Sequence, residues 1–310
     1  MEVIRTLQRR VTGSRLTLPV VFLYAVAVWL ACGLVDNGWW LQFGAYSLTT
    51  YLMLLLNNRY ALIRIYSRMV SCTFLVLSCC ACFLFPSLRG AWAMLWMAAC
   101  YLALFQTFQD RSAPGVTFYA FLFLGMATLS HPLVLWLAPL FWLMMATHLM
   151  SLSWRNWFAS LLGLVAPYWF VASWLFSQGD LPPLADHLSA LTDISRPFCY
   201  DGIGGGQLAA TLLVTGVAVT GAVHFLRRSY ADKIRTRMFY YIFMWSDLLA
   251  ALLLVAWPRH ADMLLRVMIL NTSPLFGHFL TLTSTKITNI AFLAVTATAL
   301  LLTVYNVWSL

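Results

Sequence analysis

The chain has 310 residues, of which 62% are hydrophobic and only 9% charged, with a formal net charge of +9. Soluble domains carry about 25% charged residues, so this much apolar surface has no soluble core to hide in and needs lipid as its solvent. The 19 cations are sparse and spread between apolar runs, without a basic patch interleaved with base-stacking aromatics. That excludes nucleic acid as a partner and makes the cations topology signals.

Arg5, Arg9, Arg10 and Arg15 precede an apolar run that starts near Leu18. This looks like a signal peptide, but no small-x-small cleavage site follows, so an uncleaved first span is expected. Apolar runs then predict spans at about 18–35, 41–56, 69–86, 91–108, 115–130, 132–150, 157–176, 207–225, 238–256, 267–282 and 287–308. The expectation is one all-α polytopic bundle over residues 1–310, of about 11 spans, with no soluble domain.

Asp36 follows the first span in the short turn "DNGWW", where a surface carboxylate beside an aromatic belt is expected. "NNRYALIRIYSR" at 57–68 reads as an interfacial segment touching anionic lipid. Six cysteines lie in apolar runs as small packing residues; "CCAC" at 79–82 lacks the paired spacing of a metal site, and no metal or cofactor is expected. "SHP" at 130–132 divides a long apolar run into a fifth and a sixth span and puts His131 at the tip of a hairpin.

Residues 177–206 form the one long polar stretch. Leu184, Leu188, Leu191 and Ile194 fall at helical spacing opposite Asp186, Ser189 and Asp193, predicting a short amphipathic cap started by Pro182 and Pro183 and ended by Pro197. His187 within it is a candidate general base. "GIGGG" at 202–206 precedes the eighth span; Gly204, Gly205 and Gly206 with Arg196 could hold an anion at that helix N-terminus, or could be a simple hinge. Arg259 and Arg266 share this face. Thr211, Thr215, Ala218 and Ala222 give a small-residue row that predicts close helix packing.

Asp247 lies near the middle of the ninth span, where a carboxylate costs about 3 kcal/mol on insertion scales and must face the bundle interior. His278 falls at similar depth in the tenth span, so the two are a candidate catalytic or proton-coupling pair, or alternatively two separate structural groups. His148 and His224, near the inner ends of their helices, read as structural. With the N-terminus inside, fifteen Lys and Arg fall on cytoplasmic segments and four on outer ones, which predicts an outward C-terminus and places residues 177–206 outside.

The segments "NNRYALIRIYSR", "SHPLVLWLAPL", "WRNWFASLLGLVAPYWF" and "RVMILNTSPLFGHFLTLTSTK" together resemble an uncharacterised family of multi-pass inner-membrane proteins of gram-negative bacteria. The resemblance implies an inner-membrane bundle linked to envelope biogenesis and assigns no catalytic residues. Three functional classes follow: handling of a lipid-linked phosphate or glycan at the outer face; transport or flipping driven by Asp247 and His278; and a scaffold subunit of an envelope complex. The expected partners are membrane lipids, a lipid-linked phosphate and envelope-complex subunits.

Overall fold

A computed structural model describes residues 7–178 and 203–309, together with His187, Ser189 and Phe198. The expected amphipathic cap, Arg196 and Cys199 otherwise lie outside the described residues. Among the described residues twelve α-helices follow one another: α1 (Leu7–Gly13), α2 (Thr17–Ala31), α3 (Trp40–Tyr60), α4 (Met69–Cys80), α5 (Leu88–Leu104), α6 (Pro114–Ser130), α7 (Leu137–Thr147), α8 (Trp154–Gln178), α9 (Gly205–Arg228), α10 (Ile234–Ala256), α11 (Ala261–Leu282) and α12 (Lys286–Ser309). Among the described residues there is no strand.

Among the described residues, six helices are long and apolar enough to cross a membrane: Leu88–Thr107, Trp154–Gln178, Gly205–Ala231, Ile234–Ala256, Pro258–Leu282 and Lys286–Ser309. A seventh is reached if α1 and α2, bent by 91° at Ser14–Leu16, count as one. The other expected spans are helices of a different kind. Met69–Cys80, for instance, has 12 residues, about 18 Å at 1.5 Å per residue against a hydrocarbon core of about 30 Å. The helix α3 is 21 residues long but is diluted by Gln42, Thr49, Thr50, Asn57, Asn58 and Arg59.

Local chemistry sets the boundaries. Pro132 disfavours helical backbone at the residue before it, and His131 is accordingly extended (φ −152°, ψ 110°), ending α6. Residues Pro132–Trp136 then form a 3-10 turn into α7. The Phe121 and Trp142 rings, 6.2 Å apart, bring α7 back along α6, so the hairpin expected at "SHP" is formed. Pro114 sits in the first turn of α6, where its missing N–H is no loss. Ser87 caps α5 by accepting from the Gly90 N–H at 3.2 Å.

The helix α11 is the axis of the bundle: its most apolar window is 100% buried, against 22% for α8 and for α12. It packs on α1, α4, α5, α9 and α10, while α2, α3 and α12 lie beyond α4 and α6 and α8 lie beyond α5. The reason is written in its side chains. Its mean hydropathy, 1.2, is the lowest of the six, because it carries Arg266, Asn271, Thr272, Ser273 and His278. Lipid would leave those groups unsatisfied, so the least apolar span takes the centre. Helices α6 and α8 meet through two glycines: a Cβ on Gly163 would strike the Phe118 carbonyl oxygen, and one on Gly125 would lie 2.6 Å from that of Leu164.

Candidate functional site

One end of the bundle gathers three histidines. His131 ends α6, His260 precedes α11 and His187 comes from the polar stretch. The His131 and His260 rings stand edge to face, 5.6 Å apart. His187 Nε2 donates to the Thr128 carbonyl at 3.1 Å, which leaves Nδ1 as the acceptor nitrogen of the neutral ring. Its ring lies 6.1 Å from that of Tyr168. Trp136 and Trp257 stack over the same end at 6.2 Å. The polar stretch is tied down here, because the Phe198 N–H donates to the Ala256 carbonyl at 3.0 Å. His260 did not stand out in the sequence, since a lone histidine after "WPR" carries no periodic or motif signal.

His131 is half-buried at this end. Burial first, then the electrostatic influence of His260, His187 and Arg266, pushes its imidazole from 6.5 down to about 4. It is therefore neutral at pH 7 and able to accept a proton. The folded value lies below the unfolded one, so the unfolded chain binds the extra proton in the interval between them. Stability is full above about pH 6.5 and is lost as the pH falls towards about 4. Thermal unfolding of the purified protein should show that decline, and His131→Gln should flatten part of it.

Arg266, expected on the outer face, is instead enclosed, with 1% of its surface exposed. Its Nη1 donates to the Tyr46 hydroxyl at 2.8 Å and its Nη2 to the Leu84 carbonyl. Gly90 makes the room: a Cβ there would lie 2.5 Å from the guanidinium carbon. A group so deep adds only the smallest of the influences on His131 and does not reach a surface ligand.

Asp247 and His278 do not pair. Asp247 accepts from the Thr272 hydroxyl at 3.0 Å, while His278 Nε2 lies 2.9 Å from Asp232 Oδ2, both side chains being buried. The physical reason is a misplaced helix start. The tenth span begins at Ala261 and not near 267, so His278 stands four residues before its end. That is about 9 Å along the axis beyond Thr272, level with the α9–α10 connection that supplies Asp232. His224 joins this lower group, its ring 5.5 Å from that of His278. Around Asp247 a second polar set is buried: Tyr101, Ser246 and Asn271 are neighbours whose hydroxyls and carboxamide complete no hydrogen bond.

Gly206 is explained by packing, because a Cβ on it would overlap the Asn306 carboxamide oxygen of α12. The neighbouring Gln207 donates to the Asp262 carboxylate at 2.8 Å. A carboxylate so close opposes an anion at Gly204, Gly205 and Gly206. The small-residue row of α9 also does something other than expected: Thr215, Ala218 and Ala222 line a groove, and the close approach to α11 is made by Gly221 against Leu275. Asp36 is exposed in the α2–α3 turn. The six described cysteines are buried and unbridged, and among the described residues no cluster of His, Cys, Asp and Glu could hold a metal. No family model matches the chain, and neither a curated protein nor a solved structure matches it.

Proposed function

We propose that the chain is a multi-pass protein of a bacterial inner membrane that handles a lipid-linked phosphate or glycan at the non-cytoplasmic face, with the family resemblance in its sequence pointing the same way. The observation that supports this reading is the convergence of His131, His187 and His260 at one end of the bundle. Imidazoles gathered side by side can donate to phosphate oxygens and accept a proton from them. The end's orientation follows from charge. Arg59, Arg64, Arg111, Arg155, Arg228 and Lys286 lie at the opposite end, where Arg64 reaches the Ala231 carbonyl at 3.3 Å. By the positive-inside rule that end is cytoplasmic and the histidine end is the non-cytoplasmic one. No particular reaction is assigned to the site.

Binding to the purified protein tests this. A short polyprenyl phosphate should bind about tenfold more tightly than the same chain capped by a methyl group, and the advantage should shrink as salt rises. His187→Ala and His260→Ala should each weaken the phosphate by about fivefold and leave the capped chain unchanged. Equal binding of the two chains would end the reading.

A further inference from the structure

Helices α9 and α10 both rest on α11 but scarcely touch one another. They leave a groove of about 400 Å³, within the usual range for ligand pockets, with Met268 and Leu275 of α11 as its floor. Its walls are small or apolar, among them Ala218 and Ala222 from α9 and Leu248 from α10, and no Lys or Arg lines it. The one acidic group in it is Asp247. Only 6% of that residue is exposed; Thr272 donates to its Oδ2, and its Oδ1 has no hydrogen-bond partner. An intramembrane carboxyl that lines an apolar groove and keeps one oxygen unpaired is a candidate binding group.

Depth and size narrow the occupant. Asp247 lies about 20 Å from one end of α10 and about 14 Å from the other, out of reach of a phospholipid headgroup in either leaflet. An acyl chain reaches that depth but carries nothing that bonds a carboxyl. A partner helix, about 10 Å across, would fill the groove with roughly a single turn. A hydroxyl is the group that suits a carboxyl in either protonation state, donating to the carboxylate or accepting from the acid, whereas an ammonium suits only the former. We propose that the α9–α10 groove is a binding site, entered sideways from the bilayer, for a small lipophilic alcohol whose hydroxyl bonds Asp247. The proposal is independent of the histidine end, which lies at the far side of the bundle from most of the groove.

The test is photolabelling of the full chain, purified in nanodiscs, with a diazirine-bearing long-chain alcohol, its matched hydrocarbon and its matched amine. The alcohol should label peptides of α9 and α10 about tenfold more strongly than the hydrocarbon, the ratio that one added hydrogen bond supplies. Asp247→Leu should remove that advantage, and Asp247→Asn, which still bonds a hydroxyl, should keep it within about threefold. Ala218→Phe should fill the groove and abolish labelling by every probe. If Asp247→Leu fails to fold, competition on the native chain decides: unlabelled alcohol must displace the probe and alkane must not. Equal labelling by alcohol and hydrocarbon, an advantage for the amine over the alcohol, or crosslinking of the groove to another polypeptide would each overturn the assignment.

Discussion

Gly163→Val is expected to part α6 from α8 and to destabilise the bundle by about 3 kcal/mol. The obstruction is backbone on the far side: the first added carbon meets the Phe118 carbonyl oxygen and comes within 3.0 Å of the Leu122 nitrogen. Peptide groups inside a helix cannot rotate away, so the helices must separate along their whole contact, Gly125 included. Such close approach supplies the van der Waals energy that holds helices together where lipid offers no hydrophobic drive. Gly163→Ala should show roughly half the effect, about 1.5 kcal/mol. Gly216→Ala in α9 is the control. A Cβ there has nothing within 4 Å, and the change should be neutral or stabilising by about 0.5 kcal/mol. Thermal midpoints in detergent for the three variants check the order; a Gly163→Val protein as stable as the parent would refute the close contact.

The second large effect is expected at Gly90. Valine there collides with the Arg266 guanidinium, whose carbon would lie 2.5 Å from the new Cβ. A surface arginine would swing aside at little cost, but Arg266 is 1% exposed and has nowhere to go. Displacing it breaks the bond to the Tyr46 hydroxyl at 2.8 Å and the bond to the Leu84 carbonyl. A buried charge stripped of its partners costs about 3–5 kcal/mol. Removing the charge should therefore rescue the clash. Gly90→Val combined with Arg266→Met should recover about half of the loss, although each change alone destabilises. Failure of the double variant to improve on Gly90→Val would mean that the valine acts on something other than the guanidinium.

Much of the fold was legible in the residues. Hydropathy marks the helices, Pro132 marks the α6–α7 break, and the polar load of α11 foretells its central place. What was not legible is register. A hydropathy window sees where a run becomes apolar and misses the turn that starts earlier with Ala261, Asp262 and Arg266. That error of six residues moved His278 up to the level of Asp247 and suggested a pair that does not exist. The histidine end was half legible, since the sequence places "SHP" and the polar stretch at one end of the bundle, but His260 joins them only through the three-dimensional arrangement of α6 and α11. The groove was hidden for a related reason: small residues on one helix face read equally well as a contact or as a space.

Because α11 cannot be comfortable in lipid by itself, the order of synthesis matters to it. By the time Ala261–Leu282 leaves the ribosome, every helix it packs on has already been made. Its arginine and its histidine can pass from the insertion machinery straight into waiting protein, a handover that a permuted chain beginning with α11 would lose.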